Sequence, residues 1–372
     1  MKVLHLLATG SVGGIEVLCR DIYRKSTNME NIFCFVFSGG EIAEDMRDNG
    51  ADVRVLNYKN KDILKLINYL YNLCKDEHVD VAVVHHGAPI NHIALAVLKS
   101  RLKSLKTVIY SHGNIQDTLR ENIKRGLYFR KFAYSMCFKR CDAVVAISES
   151  VKNSLIQRYG EQFGEKINIV YNGIDLDKFK PNCDIGMQNR QGSVNIIYVG
   201  RLFKAKGVDI LVKSLAEISS EKNFICNIIG DGPEKENIKS LIKEYKLEDK
   251  VVLRGVQKNV PEWLNKSDIF VHPATWEEGF GITIAEAMAF GLICIAFNKG
   301  ALPEIIDSGN NGFLIESVSE KSLSEKILYC IEHINDEELI EIRKRACESS
   351  QRFSIDKTVL DLEHIFNRLC SR

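Results

Sequence analysis

The sequence has no excess of charge of either sign. Its 372 residues include 50 Lys and Arg and 49 Asp and Glu, so the net charge is only +1. Proteins held to nucleic acid by bulk electrostatic attraction have a clearly basic domain or surface stripe, so we expect no nucleic-acid partner. The sequence also lacks an uninterrupted apolar run of about 18 residues, the length that marks a membrane-spanning helix. This absence favours a cytoplasmic protein.

The 11 cysteines include no C-x-x-C pair and are scattered along the chain. An odd number of cysteines, mostly inside apolar stretches, does not form the framework of a disulfide-rich secreted protein. The closest pair, Cys137 and Cys141, has no second pair or histidine nearby to complete a zinc site. The cysteines are therefore typical of buried thiols in a reducing compartment.

Two common nucleotide-binding motifs are missing as well. The chain contains neither the G-x-G-x-x-G dinucleotide fingerprint nor the G-x-x-x-x-G-K-[ST] phosphate loop. It also has no internal repeat of about 20 to 50 residues, which excludes solenoids and propellers.

The sequence does contain a regular alternation of short apolar runs and longer helical patterns. Such alternation predicts strand–helix–strand units and parallel sheets. Six predicted strands precede a polar stretch at residues 182–193 and six follow it, so we expect two doubly wound α/β domains, over residues 1–183 and 184–353. Apolar residues at helical spacing in residues 354–372 predict a closing helix. The predicted strands are Val3–Leu7, Ile32–Phe37, Val53–Leu56, Val79–Val84, Thr107–Tyr110, Ala143–Ile147, Asn195–Val199, Phe224–Ile229, Val251–Leu253, Ile269–Val271, Ile293–Ala296 and Gly312–Ile315.

Two glycine-rich turns follow predicted strands, where α/β sheets expose backbone N–H groups to ligands. The first holds Gly13 and Gly14, which would let the backbone approach an anion or a sugar closely, although such a turn can also be mere geometry. The second, after Val199, holds Arg201 and Lys206. These two cations suit a diphosphate, because Arg binds oxygens in pairs and Lys supplies a mobile point charge. The alternative is two solvated surface cations.

The most informative segment is residues 272–291. Its Gly279–Gly281 turn leads into a helix predicted to begin near Ile282, and a turn and helix end of this kind predict an anion site. Glu278 stands at the turn and Glu286 about one turn inside the helix. Carboxylates beside a phosphate site make sense if they accept hydrogen bonds from sugar and ribose hydroxyls. The alternatives are a capping role for Glu278 and a dipole interaction for Glu286.

In their order along the chain, these motifs resemble the family 4 retaining glycosyltransferases of the GT-B fold. The resemblance covers nearly the whole chain. It implies a first domain for the acceptor, a second domain for a nucleotide sugar facing it across a cleft, and a last helix that crosses back to the first domain. The motifs that match are Gly13-Gly14, Ser111-His112-Gly113, Val199-Gly-Arg-Leu with Lys206-Gly207, Ile229-Gly-Asp-Gly-Pro-Glu234, Glu278-x7-Glu286 and Leu302-Pro-Glu-Ile-Ile306.

The resemblance also implies roles for individual residues. Arg201 and Lys206 would bind the donor diphosphate and stabilise it as it leaves, with the Gly13-Gly14 turn facing it. Glu278 would hold hydroxyls of the transferred sugar, and Glu286 those of the ribose. His112 would approach the reacting sugar from the acceptor side; the alternative is a histidine that satisfies a loop carbonyl. The other implied donor contacts are those of Val256 and Gln257 with the base and of Gly279, Phe280, Gly281 and Ile282 at the helix end.

The implied reaction moves a sugar from a nucleotide diphosphate sugar to a glycan or lipid-linked saccharide, as in capsule or other cell-surface polysaccharide synthesis. UDP is favoured as the nucleotide and GDP is possible. Asp231-Gly-Pro lacks the second carboxylate of a metal-binding motif, so we expect no metal and no cofactor besides the donor. The alternatives are a sugar-nucleotide epimerase of the same shape and a non-catalytic sugar-nucleotide-binding subunit.

Three further features of the sequence bear on these expectations. Ala301 occupies a position where the family commonly has a second glycine, which puts the local backbone in question. Residues 120–140 hold seven basic residues against one acidic residue, with aromatics between them. This stretch predicts peripheral contact with an anionic inner membrane surface or a solvated helix whose aromatics face the core. His85, His86 and His92 could touch an acceptor, but core or surface positions are the favoured interpretation.

Overall fold

The computed structural model describes residues 1–85, 88–113, 127–181 and 192–371, with the backbone alone for residues 127–130. The chain forms two compact units, one made of Met1–Gly173 with Ile355–Arg372 and the other of Ile174–Ser354. The predicted boundary after Cys183 lies outside the described residues, as do residues 182–191 of the predicted linker. Residues 174–181 belong to the second unit.

The first unit contains a seven-stranded parallel sheet. Six of its strands coincide with predicted ones. The seventh has a polar residue, Asn168, at its centre and so does not stand out as an apolar run. The strands are β1 (Lys2–Thr9), β2 (Glu30–Ser38), β3 (Asp52–Val55), β4 (Val81–His85), β5 (Lys106–Ser111), β6 (Ala143–Ala146) and β7 (Ile167–Ile169), in the spatial order β3-β2-β1-β4-β5-β6-β7. The helices are α1 (Gly14–Lys25), α2 (Glu41–Asp48), α3 (Ile63–Asp76), α4 (Pro89–Arg101), α5 (Leu127–Arg140) and α6 (Glu149–Tyr159).

The second unit repeats this architecture with a six-stranded parallel sheet. Its strands are β8 (Val194–Val199), β9 (Phe224–Ile229), β10 (Val251–Gly255), β11 (Ile269–His272), β12 (Ile293–Phe297) and β13 (Phe313–Ile315), in the order β10-β9-β8-β11-β12-β13. Its helices are α7 (Val208–Ile218), α8 (Lys235–Glu244), α9 (Val260–Asn265), α10 (Ile282–Ala289), α11 (Leu302–Ile305), α12 (Glu320–Glu332) and α13 (Glu337–Ser350).

The central strands are mostly apolar because helices cover both faces of each sheet. Every residue of β4 and of β12 is buried. The cysteines of the described ranges follow the same rule: eight are buried, Cys347 is half-buried, Cys370 is exposed, and none is paired. The two sheets therefore have the doubly wound α/β topology that the alternation predicted.

The last helix, α14 (Ile355–Cys370), belongs to the first unit and packs against α1. Its apolar residues recur at helical spacing and form one buried face. Thr358 Oγ1 donates a hydrogen bond to the carbonyl of Tyr171 at 2.8 Å, and Asn28 Nδ2 donates to Glu363 Oε2 at 3.2 Å. The chain thus returns to complete its first unit after building the second.

Residues 120–126 of the basic stretch lie outside the described residues, and so does His86. In the described parts of the chain, no helix is both long and apolar enough to cross a membrane.

Candidate functional site

The predicted donor-site residues of the second unit lie on loops that follow neighbouring strands. Val256 and Gln257 follow β10, Arg201 and Lys206 follow β8, and Glu278 follows β11. Parallel strands bring these loops to one edge of the sheet. The chain reverses its direction across the sheet between β8 and β11, and such a switch point is where open α/β sheets bind ligands.

Backbone hydrogen bonds join these loops to one another, so their positions depend on one another and not on the strands alone. The donor and acceptor pairs are Gly230 N to Gly255 O at 2.9 Å, Leu202 N to Asp231 O at 2.9 Å, Thr275 N to Ala205 O at 2.9 Å and Ala301 N to Glu278 O at 2.8 Å.

Glu278 is the centre of the polar arrangement at this edge. Its side chain is only 10% exposed, and three donors converge on its Oε1 atom. Lys206 Nζ forms an ion pair with it, Trp276 Nε1 donates at 2.7 Å, and His272 Nε2 lies at 3.1 Å. A carboxylate only accepts, so His272 carries its proton on Nε2. Among the described residues, no donor bonds to the second oxygen, Oε2.

These contacts keep the Glu278 carboxylate ionised. Burial alone would raise the pKa of the carboxyl, but the hydrogen bond from His272 and the charge of Lys206 outweigh burial and hold the pKa well below its usual range. Lys206 Nζ also lies 4.9 Å from the centroid of the Trp276 ring, a cation–π distance. Glu278 is therefore an ionised acceptor whose position is set by three neighbours.

The backbone of the Lys206 turn requires glycine at the next position. Gly207 has a φ of +66°, in the left-handed region, and a Cβ there would lie 2.0 Å from the carbonyl oxygen of Pro273. A side chain would thus push apart the loops after β8 and β11. Gly281, the N-cap of α10, is also left-handed, with φ +94°.

Arg201 has a fixed backbone and an exposed side chain. Its carbonyl accepts a hydrogen bond from the Tyr198 hydroxyl at 3.0 Å, and its guanidinium lies 5.0 Å from the Phe203 ring centroid. The side chain can therefore meet a ligand without unpacking the turn that carries it.

The structure also locates the two glutamates of the E-x7-E motif relative to α10. The N-cap is Gly281, no side chain caps the helix, and the first turn contains no acidic residue. Glu278 therefore does not cap α10, and Glu286, half-buried on the helix, lies beyond its first turn. Neither alternative weighed for these glutamates describes their positions.

The remaining candidates of the second unit differ in exposure. Val256 is 72% exposed, and Gln257 Nε2 donates to the carbonyl of Arg254 at 2.6 Å. The Phe280 side chain is buried against Phe353, with ring centroids 5.3 Å apart, so only the backbone of Phe280 is suited to a ligand. The Gly279–Gly281 turn lies between Glu278 and α10, which begins at Ile282 as expected from the sequence.

The departure of Ala301 from the family pattern put the local backbone in question, but the backbone there is regular. Its φ of −85° is an ordinary conformation for alanine, and its N–H holds the Glu278 carbonyl.

In the first unit, Gly13 and Gly14 lie at the start of α1, and His112 follows β5. His112 Nε2 lies 2.8 Å from His85 Nδ1, and its ring stacks on Tyr110 with centroids 4.4 Å apart. His85 is 1% exposed and is a core residue.

His92 is also buried, and its Nδ1 lies 3.1 Å from the carbonyl oxygen of Ala88. The two described members of the histidine cluster are thus core residues, as the favoured interpretation had it.

Sequence reasoning missed His272 and Trp276 as partners of Glu278. Both lie within six residues of it in the segment singled out above, so a search for donors around the buried glutamate could have found them. It also missed His5 and Asn31, which connect to His85 through contacts between strands that lie far apart in sequence.

Comparison with known proteins gives matches over both units. The model of the "Glycosyltransferase Family 4" matches residues 12–178, and that of the "Glycosyl transferases group 1" matches residues 187–347. Together these two ranges cover most of the chain.

Individual relatives match over most of their own length. An uncharacterised glycosyltransferase of Methanocaldococcus jannaschii is 30% identical over 301 residues, 80% of this chain and 78% of the relative. The UDP-Gal:alpha-D-GlcNAc-diphosphoundecaprenol alpha-1,3-galactosyltransferase of Escherichia coli is 26% identical over 321 residues, 82% of this chain and 79% of the relative.

A solved structure of HepE from Anabaena in complex with UDP-glucose has the same fold. It superposes with a TM-score of 0.82 at 23% identity and covers 100% of both chains.

Proposed function

The chain belongs to the GT-B glycosyltransferases that the group 1 and family 4 models describe, and from this premise we propose that it transfers a sugar from a UDP-sugar to a saccharide acceptor with retention of anomeric configuration. The observation that carries the proposal is the convergence of Lys206, His272 and Trp276 on Oε1 of Glu278 at the switch point of the second sheet. The E. coli relative is named for UDP-galactose, and the Anabaena structure holds UDP-glucose. Both support UDP over GDP.

The three donors on Oε1 suit Glu278 to bind sugar hydroxyls through Oε2. A carboxylate held ionised by a lysine and two N–H donors is a strong hydrogen-bond acceptor. The same contacts lower its basicity, which makes it a poor covalent nucleophile. We therefore assign Glu278 to positioning the transferred sugar.

Cleavage of the donor develops negative charge on the β-phosphate, and stabilising that charge is the main catalytic task. We assign this task to Arg201, Lys206 and the N–H groups at the start of α10, including those of Gly281 and Ile282. The bond from the anomeric carbon to the phosphate breaks, and a bond to the acceptor oxygen forms on the same face. The acceptor proton passes to the departing phosphate, so no protein base is required.

We further propose that transfer needs no metal. Asp175-Leu-Asp177 has the D-x-D spacing, but Asp175 Oδ1 accepts from the backbone N–H groups of Asp177 and Lys178. The carboxylate of Asp231 is bonded on both oxygens: Oδ1 accepts from Gly232 N and Oδ2 from Lys235 Nζ, each at 2.7 Å. The carboxylate of Asp231 therefore forms hydrogen bonds within its own loop and with the start of α8. Transfer at an unchanged rate in excess EDTA would support this assignment, and loss of transfer that Mg²⁺ or Mn²⁺ restores would overturn it.

The roles that the resemblance implies for Gly13, Gly14, Glu286, Val256 and Gln257 stay predictions. The E. coli relative is named for a diphosphoundecaprenol-linked acceptor, so we propose a lipid-linked saccharide acceptor in cell-surface polysaccharide synthesis, reached from the cytoplasm. Contact with the inner membrane surface stays a prediction of the sequence.

Removal of either cation tests the proposal. In Arg201→Ala and Lys206→Ala, transfer from UDP-sugars should fall by about 10² to 10³, the usual cost of losing one preorganised charge-stabilising group. Lys204→Ala is the matched control, because Lys204 lies in the same turn, is exposed and pairs with Asp209; its rate should stay close to wild type.

Thermal unfolding with UDP and with GDP measures the nucleotide preference separately. A nucleotide at 100 times its Kd stabilises the folded protein by about 2.7 kcal/mol, and we expect this stabilisation from UDP.

Two outcomes would contradict the proposal. Transfer that survives both Arg201→Ala and Lys206→Ala would contradict the site. An epimerised donor formed without acceptor, with no glycoside when acceptor is present, would contradict the transferase function.

A further inference from the structure

Four polar side chains of the first unit form a continuous chain across its sheet. Asn31 Oδ1 lies 3.0 Å from His5 Nε2, and His5 Nδ1 lies 3.0 Å from His85 Nε2. His85 Nδ1 then lies 2.8 Å from His112 Nε2. The imidazoles of His5 and His85 thus connect a buried amide to His112, the residue that the family resemblance assigns to the reacting sugar.

Strand register produces this line. The four residues lie on or directly after β2, β1, β4 and β5, which are adjacent in the sheet in that order. Each of the first three residues pairs in register with a residue on the next strand. The following member of the line lies two positions beyond that paired residue, toward the carboxyl end. Side chains alternate along a strand, so a shift of two keeps all four on one face of the sheet. They form a diagonal from the interior to the carboxyl edge.

The inner imidazoles are neutral at physiological pH. Burial lowers the pKa of His5 to about 4, and the hydrogen bond from His5 to Asn31 only partly opposes this; burial also holds the pKa of His85 well below its usual range. The Cys19 thiol lies 3.6 and 3.7 Å from the two ring nitrogens of His85, and Tyr110 packs against the same ring. Burial raises the pKa of both groups, so both are neutral too. A neutral imidazole has one N–H donor and one acceptor nitrogen, so the chain has a direction.

Asn31 sets that direction. Its Nδ2 donates to the carbonyl of Met29 at 3.3 Å, which turns its Oδ1 toward His5. A carbonyl oxygen only accepts, so His5 carries its proton on Nε2 and accepts on Nδ1. His85 must then donate from Nε2 and accept on Nδ1, and that acceptor requires an N–H on Nε2 of His112.

We propose that Asn31 orients the whole chain, so that neutral His112 carries its proton on Nε2 and uses Nδ1 as an acceptor. Asn31, His5 and His85 are then positioning residues for His112. An acceptor nitrogen suits a hydroxyl group and not a phosphate oxygen, which has no proton to donate. The catalytic consequence, a hydrogen bond from a substrate hydroxyl to Nδ1, rests on the proposed function.

The tautomers can be measured without any activity. Long-range ¹H–¹⁵N spectra of the full chain labelled with ¹⁵N-histidine, at pH 7.5, distinguish a protonated Nε2 from a protonated Nδ1. Single His→Gln variants assign the signals. The expected result is Nε2–H for His5, His85 and His112 in the wild-type protein. A neutral His112 protonated on Nδ1 would overturn the proposal, whether or not any variant folds.

Variants of Asn31 test its control of the chain. Asn31→Leu removes the terminal acceptor and should release His112 into a mixture of tautomers. Asn31→Asp keeps an oxygen that only accepts and should restore Nε2–H. Asn91→Leu is the matched control, because Asn91 is equally buried in the same unit and its Nδ2 donates to Leu7 O, outside the chain; His112 should remain Nε2–H. An unchanged His112 tautomer in Asn31→Leu would overturn control by Asn31.

Transfer assays on the same proteins separate this inference from the proposed function. Asn31→Leu should lower kcat/KM about tenfold, the order expected for one lost or misdirected hydrogen bond, and Asn31→Asp should recover most of it. Full transfer in Asn31→Leu with altered tautomers would overturn the positioning role and leave the transferase function standing. Wild-type protein without transfer activity would end the transferase function, and the tautomers would still decide the control by Asn31.

Discussion

The two units place polar groups at the carboxyl edges of similar sheets but stabilise them in opposite ways. In the second unit, Lys206 and Glu278 form a largely buried ion pair whose remaining donors come from the end of β11 and the loop that follows it. In the first unit, His5 and His85 are neutral and lie on the strands themselves. One arrangement is fixed by charge and the other by hydrogen-bond direction.

The contrast explains which features tolerate change. A charge in a dry site is stable only with its partner, and removing one member leaves the other unpaired at high cost. When one member of a hydrogen-bonded line of neutral groups is replaced, little electrostatic energy is lost, but the donor and acceptor roles along the line can reverse. Substitutions in the second unit should therefore act on stability and rate together, and those in the first mainly on rate.

The largest effect is expected from substitution of Gly207, and Gly14 in the corresponding turn of the first unit provides the comparison. Gly207→Ala places a Cβ against Pro273 O in a left-handed backbone, a strain of about 1–3 kcal/mol before the clash is counted. It should abolish most transfer and lower the unfolding temperature by several degrees. Gly14→Ala meets nothing within 4 Å, so calorimetry should show a nearly unchanged unfolding temperature.

Activity then distinguishes two uses of glycine. If the first turn approaches the donor closely, as the sequence predicts, Gly14→Ala loses transfer while keeping its stability. Equal destabilisation by both substitutions would contradict the contrast between the turns.

Glu278→Gln should have the next largest effect, about a hundredfold loss of kcat/KM. The amide replaces an acceptor at Oε2 with a donor and leaves Lys206 without its counter-charge. The matched control is Glu262→Gln, an exposed glutamate on α9, which should not change the rate. Transfer at the wild-type rate in Glu278→Gln would remove Glu278 from the site.

The pH dependence of stability follows from the lowered pKa of Glu278. A depressed carboxyl pKa stabilises the folded protein above the ordinary value of 4.5, and this stabilisation is lost as the pH falls toward the folded value. In urea unfolding, the advantage of wild type over Glu278→Gln should be constant between about pH 8 and 6 and shrink below about pH 5. An advantage that grows on acidification would contradict the ion pair.

Trp276→Phe should have the smallest effect, about a tenfold loss of kcat/KM. The ring over Lys206 remains, but the N–H donated to Glu278 is lost. Trp263, the other of the two tryptophans, stacks with Arg254, and Trp263→Phe should leave transfer unchanged. An equal loss in both variants would show that bulk, and not the donated hydrogen bond, matters at position 276.

The sequence predicted the fold better than the site because the two depend on different information. Apolar runs and their spacing are local, and they located twelve strands and the helix that begins at Ile282. Strand β7 was missed because Asn168 interrupts its apolar residues, whereas the equally short β13 is a continuous apolar run. Partners such as His272 for Glu278 could be found within one segment, whereas Asn31, His5 and His85 meet only through strand order and register, which no local pattern records.

The position of α14 in the first unit has a consequence for synthesis. This unit contains the first 173 residues and also the last stretch from Ile355 onward, and α14 covers α1. A ribosome synthesises the whole of the second unit before it makes the segment that packs against α1. The amino-terminal half is therefore the later of the two to reach its finished state.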